Sequence, residues 1–168
     1  MSDSADVLIR AAILADLPAI TAIYNEAILT TTATFDTEPK TLEERTAWLK
    51  GHDERHPVMV AVMGNDVVGW ACLSKWSDRP AYDGTAETSF YVAAEHRGRG
   101  IGRKLKEAII AEARRLGFHT LIARVAEGSE ASRRLNERAG FVHVGTLKEV
   151  GRKFGRWLDV DVMQLMLD

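Results

Sequence analysis

One six-residue stretch, Arg97-Gly98-Arg99-Gly100-Ile101-Gly102, limits what this chain can become more than any other. It follows a β-rich run, Thr85 to Val92, and precedes apolar positions at Ile101, Leu105, Ala108, Ile109 and Leu116, one face of a helix stopped by Gly117. Strand, glycine-rich turn and helix therefore form one unit. With no side chains at Gly98, Gly100 and Gly102, backbone amides crowd together at a helix N-terminus, an arrangement that binds anions. Five cations, Arg97, Arg99, Arg103, Lys104 and Lys106, fall within residues 97–106. The whole chain carries 22 Lys and Arg against 24 Asp and Glu, a net charge of -2. The positive charge is thus local and suits a pyrophosphate, and no global field recruits nucleic acid or an anionic membrane.

Spacing separates this turn from two other phosphate-binding patterns. A P-loop needs a glycine five residues before Gly-Lys-Ser/Thr, which is missing, and a Rossmann turn needs G-x-G-x-x-G, whereas these glycines run G-x-G-x-G. The rest of the chain argues against a doubly wound sheet as well. Residues 1–7 are polar and read as a frayed start, and Leu8 to Ala12 reads as a strand. Ile20, Ile23, Tyr24, Ala27 and Ile28 mark a helix face, with Asp16 as N-cap and Pro18 in the first turn. Thr30 to Thr37 is a threonine-rich loop carrying Phe35, and Thr41 with Glu44 is a capping box for a helix through Trp48-Leu49.

Val58 to Met63 and Val67 to Ser74 flank Gly64-Asn65-Asp66 and predict an antiparallel hairpin. Trp76 to Gly84 is a loop, and on the strand that follows it Glu87, Ser89 and Tyr91 share one face. After the glycine turn and its helix come a strand at His119 to Ala126 and a short helix at Ala131 to Ala139. Two further strands, Phe141 to Val150 and Trp157 to Leu167, flank a loop at residues 151–156. This order predicts an α+β fold with a mixed, mostly antiparallel sheet flanked by helices. A length of 168 residues predicts one domain spanning 1–168.

Cys72 is the sole cysteine, so neither an intramolecular disulfide nor a multi-cysteine zinc site is open to the chain, and the five histidines show no metal-ligand spacing. No apolar run reaches the length of a membrane-spanning helix, and no secretory signal opens the chain, which points to a reducing cytoplasmic setting. Trp48, Trp70, Trp76 and Trp157 read as core or pocket wall, not as a stacking platform for nucleic acid.

Arg97-x-x-Gly100-x-Gly102 after Tyr91-Val92 resembles the acetyl-CoA signature of the GNAT acyltransferase superfamily. Residues 131–141, ending in Gly140-Phe141, look like that family's later helix, and the element order is similar to its plan across about the whole chain. Three stretches resemble phosphinothricin and methionine sulfoximine N-acetyltransferases: Tyr24-Asn25-Glu26-Ala27 with Phe35 and Thr37-Glu38-Pro39, the run from Trp76 to Val92, and Gly151 to Val160.

The resemblance implies acetyl-CoA as co-substrate, held by Tyr91, Val92, the turn Arg97, Gly98, Arg99, Gly100, Ile101, Gly102 and Arg103, and by Ser129 and Asn136. It implies Glu87 as the general base and the Val92 amide as oxyanion donor. Phe35, Arg79 and Tyr82 would bind an amino acid-like acceptor, and Lys153 with Arg156 would lie in a hairpin that approaches the site of a partner subunit in a homodimer. Asn136 stands where many relatives carry a tyrosine acid, Ser129 where an asparagine is usual, and Ser77 where some carry a basic residue. Cys72 lies in an apolar run and reads as inert core, which favours direct transfer in a ternary complex over an acyl-cysteine route. Two alternatives stay open on this evidence, an acetyltransferase of a peptide N-terminus or another amine, and a non-catalytic acyl-CoA sensor.

Overall fold

The computed structural model describes residues 6–168. The elements run β1 (Val7–Ala11), α1 (Leu17–Thr30), α2 (Leu42–Lys50), β2 (Val58–Met63), β3 (Asp66–Lys75), β4 (Thr85–Val92), α3 (Ile101–Arg115), β5 (Thr120–Ala126), α4 (Glu130–Arg138), β6 (Val142–Lys153) and β7 (Arg156–Met166). The expected order of strands and helices is the observed one. Among the described residues, seven strands form one sheet in the order β1-β2-β3-β4-β5-β7-β6, and β4 with β5 is its one parallel pair. Of the frayed start expected for residues 1–7, residues 1–5 lie outside the described residues, and Val7 already pairs with Met63 in β1.

Each face of the sheet has its own core, because period-2 alternation sends neighbouring side chains to opposite sides. On one face, Ile101, Leu105 and Ile109 of α3 pack with Val68, Leu73, Leu121 and Phe141. On the other, Ile20, Ile23, Tyr24 and Ile28 of α1 pack with Val58, Val60, Trp70 and Cys72. Burying a side chain of this size stabilises by roughly 1.5–3 kcal/mol, so these faces hold the sheet between its helices.

The capping box forms as its sequence indicates, with Glu44 N donating to Thr41 Oγ1 at 3.1 Å and Thr41 N donating to Glu44 Oε2 at 2.7 Å. Asp16 does not cap α1. Its carboxylate turns back to a bidentate pair with Arg10, at 2.7 and 2.9 Å, and accepts from Ile13 N, which closes a single turn ahead of the helix. The loop expected at 151–156 is also corrected. The strands run on to Lys153 and from Arg156, leaving Phe154 at φ 52° and Gly155 at φ 76° as a two-residue turn. Two successive positive φ values suit the right-handed twist of paired strands, but a phenylalanine there is uncommon and gives no signal in the sequence.

Candidate active site

The site begins where the sheet comes apart. β4 and β5 pair only at Thr85, Ala86 and Glu87, so Thr88 to Val92 run on without a neighbour on the β5 side. The register with β3 is unbroken along the same stretch, from Ala86 opposite Lys75 to Val92 opposite Gly69. Ala93 N donates to Val68 O at 2.9 Å, so by alternation the amides of Val92, Phe90 and Thr88 face away from β3 and into the opening. A strand edge with unpaired amides lines a wedge whose apex is Glu87.

The glycine turn stands at the mouth of that wedge. Gly98 and Gly100 adopt φ of 78° and 80°, which glycine reaches without strain. Gly102 is needed for a different reason, since a Cβ there would come within 3.2 Å of Leu135 and 3.3 Å of Phe90. The first intrahelical bond runs from Lys104 N to Gly100 O at 3.1 Å, so the amides of Ile101, Gly102 and Arg103 stand ahead of it, free for an anion. Arg97 braces the turn, its Nε donating to Val92 O and its Nη2 pairing with Glu26, both at 3.2 Å. Arg103 pairs with Glu107 at 2.8 Å. Arg99 and Lys104 are exposed at the turn. Lys106, counted among the cations of the turn from sequence, points the other way into the core.

Glu87 occupies the face of β4 that looks toward α1, and its carboxylate is gripped by Arg124 of β5, with Nε to Oε2 at 2.5 Å and Nη2 to Oε1 at 2.9 Å. A bidentate fork fixes orientation and leaves the outer lone pairs of the carboxylate free. The Trp76 ring flanks the Arg124 guanidinium at 5.9 Å. Further along, the Tyr91 ring lies 4.9 Å from Trp70 and 5.3 Å from Tyr24, and its hydroxyl donates to Ala33 O at 3.3 Å. Its side chain is wall, and burial drives its phenol well above the usual range. Cys72 is fully enclosed beneath, its thiol pushed up to about 11 by burial. A thiol held that high is a poor nucleophile at neutral pH.

The acceptor candidates do not gather in one place. Phe35 lies flat over Gly151 of β6, where any Cβ would collide with its ring. Arg79 is exposed in the loop before β4, and Tyr82 in the same loop is 45% exposed. Lys153 leaves the group altogether. It is 5% exposed, and its ammonium donates to Thr31 O and Thr34 O, both at 2.8 Å. Instead of reaching outward it staples the threonine-rich loop to β6, and burial lowers its pKa. Ser129 precedes α4 without capping it by a side-chain bond. Asn136 is buried, donating to Ser132 O at 3.0 Å while its Oδ1 has no partner.

Two residues that sequence reasoning passed over matter here. Arg124 is the clamp on Glu87. Arg45 of α2 is 5% exposed, with its guanidinium 3.6 Å from the Trp48 ring centre and 4.4 Å from that of Tyr24, and its Nε and Nη2 lack hydrogen-bond partners. Asn25, in a stretch that carried the resemblance, has a clear local task. Its amide group brackets the Lys40 backbone, accepting from Lys40 N at 2.8 Å and donating to Lys40 O at 2.9 Å.

Amides and cations at the turn, an unpaired strand edge behind it and an orphaned Asn136 oxygen are groups that an acyl-CoA would satisfy. Comparison with known proteins agrees. The model of the acetyltransferase (GNAT) family matches residues 20–141, and the chain belongs to that family. It is 42% identical over 162 residues, 95% of this chain and 94% of the other, to an L-methionine sulfoximine/L-methionine sulfone acetyltransferase of Pseudomonas paraeruginosa. Identity is also 42% to a phosphinothricin N-acetyltransferase of Streptomyces coelicolor, with 95% and 96% covered. The structure of yncA from Salmonella typhimurium with its cofactor acetyl-CoA superposes with a TM-score of 0.93 at 40% identity, over 96% of this chain and 94% of that one. Within the family, this is an acetyl-CoA-dependent N-acetyltransferase of the phosphinothricin acetyltransferase kind.

Proposed function

We propose that this enzyme acetylates the α-amine of a small amino acid-like acceptor, of the methionine sulfoximine, methionine sulfone or phosphinothricin type, by direct attack with both substrates bound. The end of β4–β5 pairing at Glu87 carries the reading, because it sets a carboxylate at the apex of a cleft lined by free amides. Acetyl-CoA, when bound, supplies the activated acetyl group. An α-amine with a reference pKa near ~8 is mostly protonated at neutral pH, so a base must take a proton before attack.

Glu87 is that base in this reading, with Arg124 holding its orientation. Val92 lies five positions beyond Glu87, about 16 Å of extended strand at ~3.3 Å per residue, too far for both to meet one reacting atom. Glu87 therefore works through ordered water, and the Phe90 amide, facing the same opening, is the donor nearer to it. Val92 then orders the arm leading to the turn. Cys72 takes no acyl group.

Phe35, Arg79 and Tyr82 are the acceptor side of the proposal, and a second copy of the chain is what closes it. A band of exposed apolar side chains supports this, with Val142, Val144, Leu147 and Val150 on the edge strand β6 and Phe154 and Trp157 at the hairpin tip. An exposed apolar edge of this kind marks an interaction surface. No helix among the described residues is long and apolar enough to cross a membrane, and the reading places the enzyme in the reducing cytoplasm.

The experiment is free-thiol release from acetyl-CoA by purified protein, with methionine sulfoximine, phosphinothricin, ordinary amino acids or a short peptide as acceptor. Saturable release with the sulfoximine or phosphinothricin is expected. Release with peptide alone would replace the acceptor assignment, and binding of acetyl-CoA with no release for any amine would make the protein a sensor.

A further inference from the structure

Behind the apex of the wedge sits a charge that the chemistry above does not use. Lys106 of α3 is 1% exposed, its ammonium donates to Thr88 Oγ1 at 2.6 Å, and it lies 4.2 Å from the Phe141 ring centre and 5.7 Å from that of Phe90. Thr88 is the first residue of β4 beyond the last pair with β5. The ammonium is thus tethered to the stretch whose amides face the opening, on the side of β4 opposite Glu87.

The groups around it are neutral: Thr88 and Phe90 from β4, Phe141 from the segment after α4, and the apolar residues of the α3 core. On its own helix, Arg103 and Glu107 pair with each other at the surface. Burial alone lowers the Lys106 pKa, to about 7. Such a residue costs stability, whereas a methionine or leucine would suit the same apolar surroundings. Asn136, standing where the resemblance implies a tyrosine acid, offers only an amide that donates to Ser132 O.

We propose that the Lys106 ammonium is the positive charge that stabilises the coenzyme A thiolate as it departs. The proposal rests on the reading that acetyl-CoA lies along β4. As the acceptor nitrogen bonds to the acetyl carbon, the carbon–sulfur bond breaks and its electron pair goes to sulfur. The proton that Glu87 took from the ammonium before attack has gone to solvent, the second one lost by nitrogen as the amide forms passes through water to Glu87, and the thiolate later takes one from solvent. Lys106 transfers no atom in this scheme. It acts through space across Thr88, where low dielectric makes a single charge effective over several ångströms.

The test has a readout independent of turnover. Coenzyme A is bound to wild type, Lys106→Met, Lys106→Arg and Thr88→Val, and thiolate ultraviolet absorbance is followed against pH with no acceptor present. Lys106, with a pKa of about 7, and the bound thiol titrate as a pair, so the thiol of bound coenzyme A is expected to ionise lower in wild type than in Lys106→Met by up to about one pH unit, with the larger shift in Lys106→Arg, which stays charged, and Thr88→Val between wild type and Lys106→Met. In parallel, kcat for Lys106→Met is expected to drop about tenfold, below the 10²–10⁴ of a full general acid, with the KM for acetyl-CoA unchanged.

The same thiol ionisation in all four proteins would overturn the proposal. Failure of the underlying reading looks different, since coenzyme A would then not bind wild type, or Glu87→Gln would leave the acid limb of kcat in place.

Discussion

The glycine turn and the tip of the β6–β7 hairpin are built alike and behave oppositely. Each places two residues at positive φ, Gly98 and Gly100 in one and Phe154 and Gly155 in the other. Each is flanked by lysine and arginine. At the turn, amides and the cations Arg99 and Lys104 stay outward, so one chain presents free amides and positive charge together. At the hairpin, Lys153 is drawn inward onto Thr31 O and Thr34 O, while Arg152 and Arg156 stay exposed beside the apolar Phe154 and Trp157. On the proposed reading, the cofactor half is complete within one chain and a second copy completes the acceptor half. Counting cations along the sequence cannot reveal this, because direction, not number, decides which charge a ligand meets.

Substitutions can break or sharpen the contrast, the largest effect being expected at its boundary. Glu87→Gln should lower kcat by about 10²-fold or more and flatten its rise with pH, while acetyl-CoA affinity persists, as steady-state profiles and calorimetry would show. Gly151→Val strikes the acceptor half. Its side chain must displace the Phe35 ring, so the acceptor KM should rise about tenfold and thermal stability fall by roughly 1–3 kcal/mol, with the acetyl-CoA KM little changed.

Lys106→Met should stabilise the protein by roughly 2–4 kcal/mol near pH 6–7. The folded-state pKa of about 7 lies below that of an unfolded lysine, so the unfolded chain holds the proton more tightly. The penalty is therefore complete below about pH 7 and fades as the pH climbs toward ~10, where the gain measured by denaturant melts should vanish. Lys153→Met loses two bonds to carbonyls and should cost about 1–3 kcal/mol, loosening residues 31–34 in hydrogen exchange. The smallest effect is expected at Cys72→Ala, which should keep kcat within about twofold, because a direct-transfer mechanism makes no use of the thiol.

Legibility followed sequence separation. The capping box at Thr41 and Glu44, the glycine turn and the order of elements are local patterns, and all were readable. The wedge at Glu87 could be anticipated only through resemblance, since nothing in Thr85 to Val92 tells how far β5 follows it. The clamp on Glu87 joins residues 37 apart and the staple at Lys153 joins residues 122 and 119 apart. Both are side-chain commitments made by tertiary packing, and a cation in a run of cations carries no mark of being buried. Asp16 shows the same on a smaller scale, since a carboxylate before a helix reads as a cap until Arg10 competes for it.

The proposal that a second copy completes the acceptor half is tested most directly by charging the edge on which it would sit. Val142→Lys with Val144→Lys puts two charges on the exposed edge of β6, and light scattering reports whether the protein is then a monomer. Acetyl-CoA affinity and the acceptor KM are measured on that same sample. The account expects acetyl-CoA to bind as in wild type while acceptor kcat/KM falls by about tenfold or more. A monomer that keeps its acceptor kinetics, or one that loses acetyl-CoA, would contradict it.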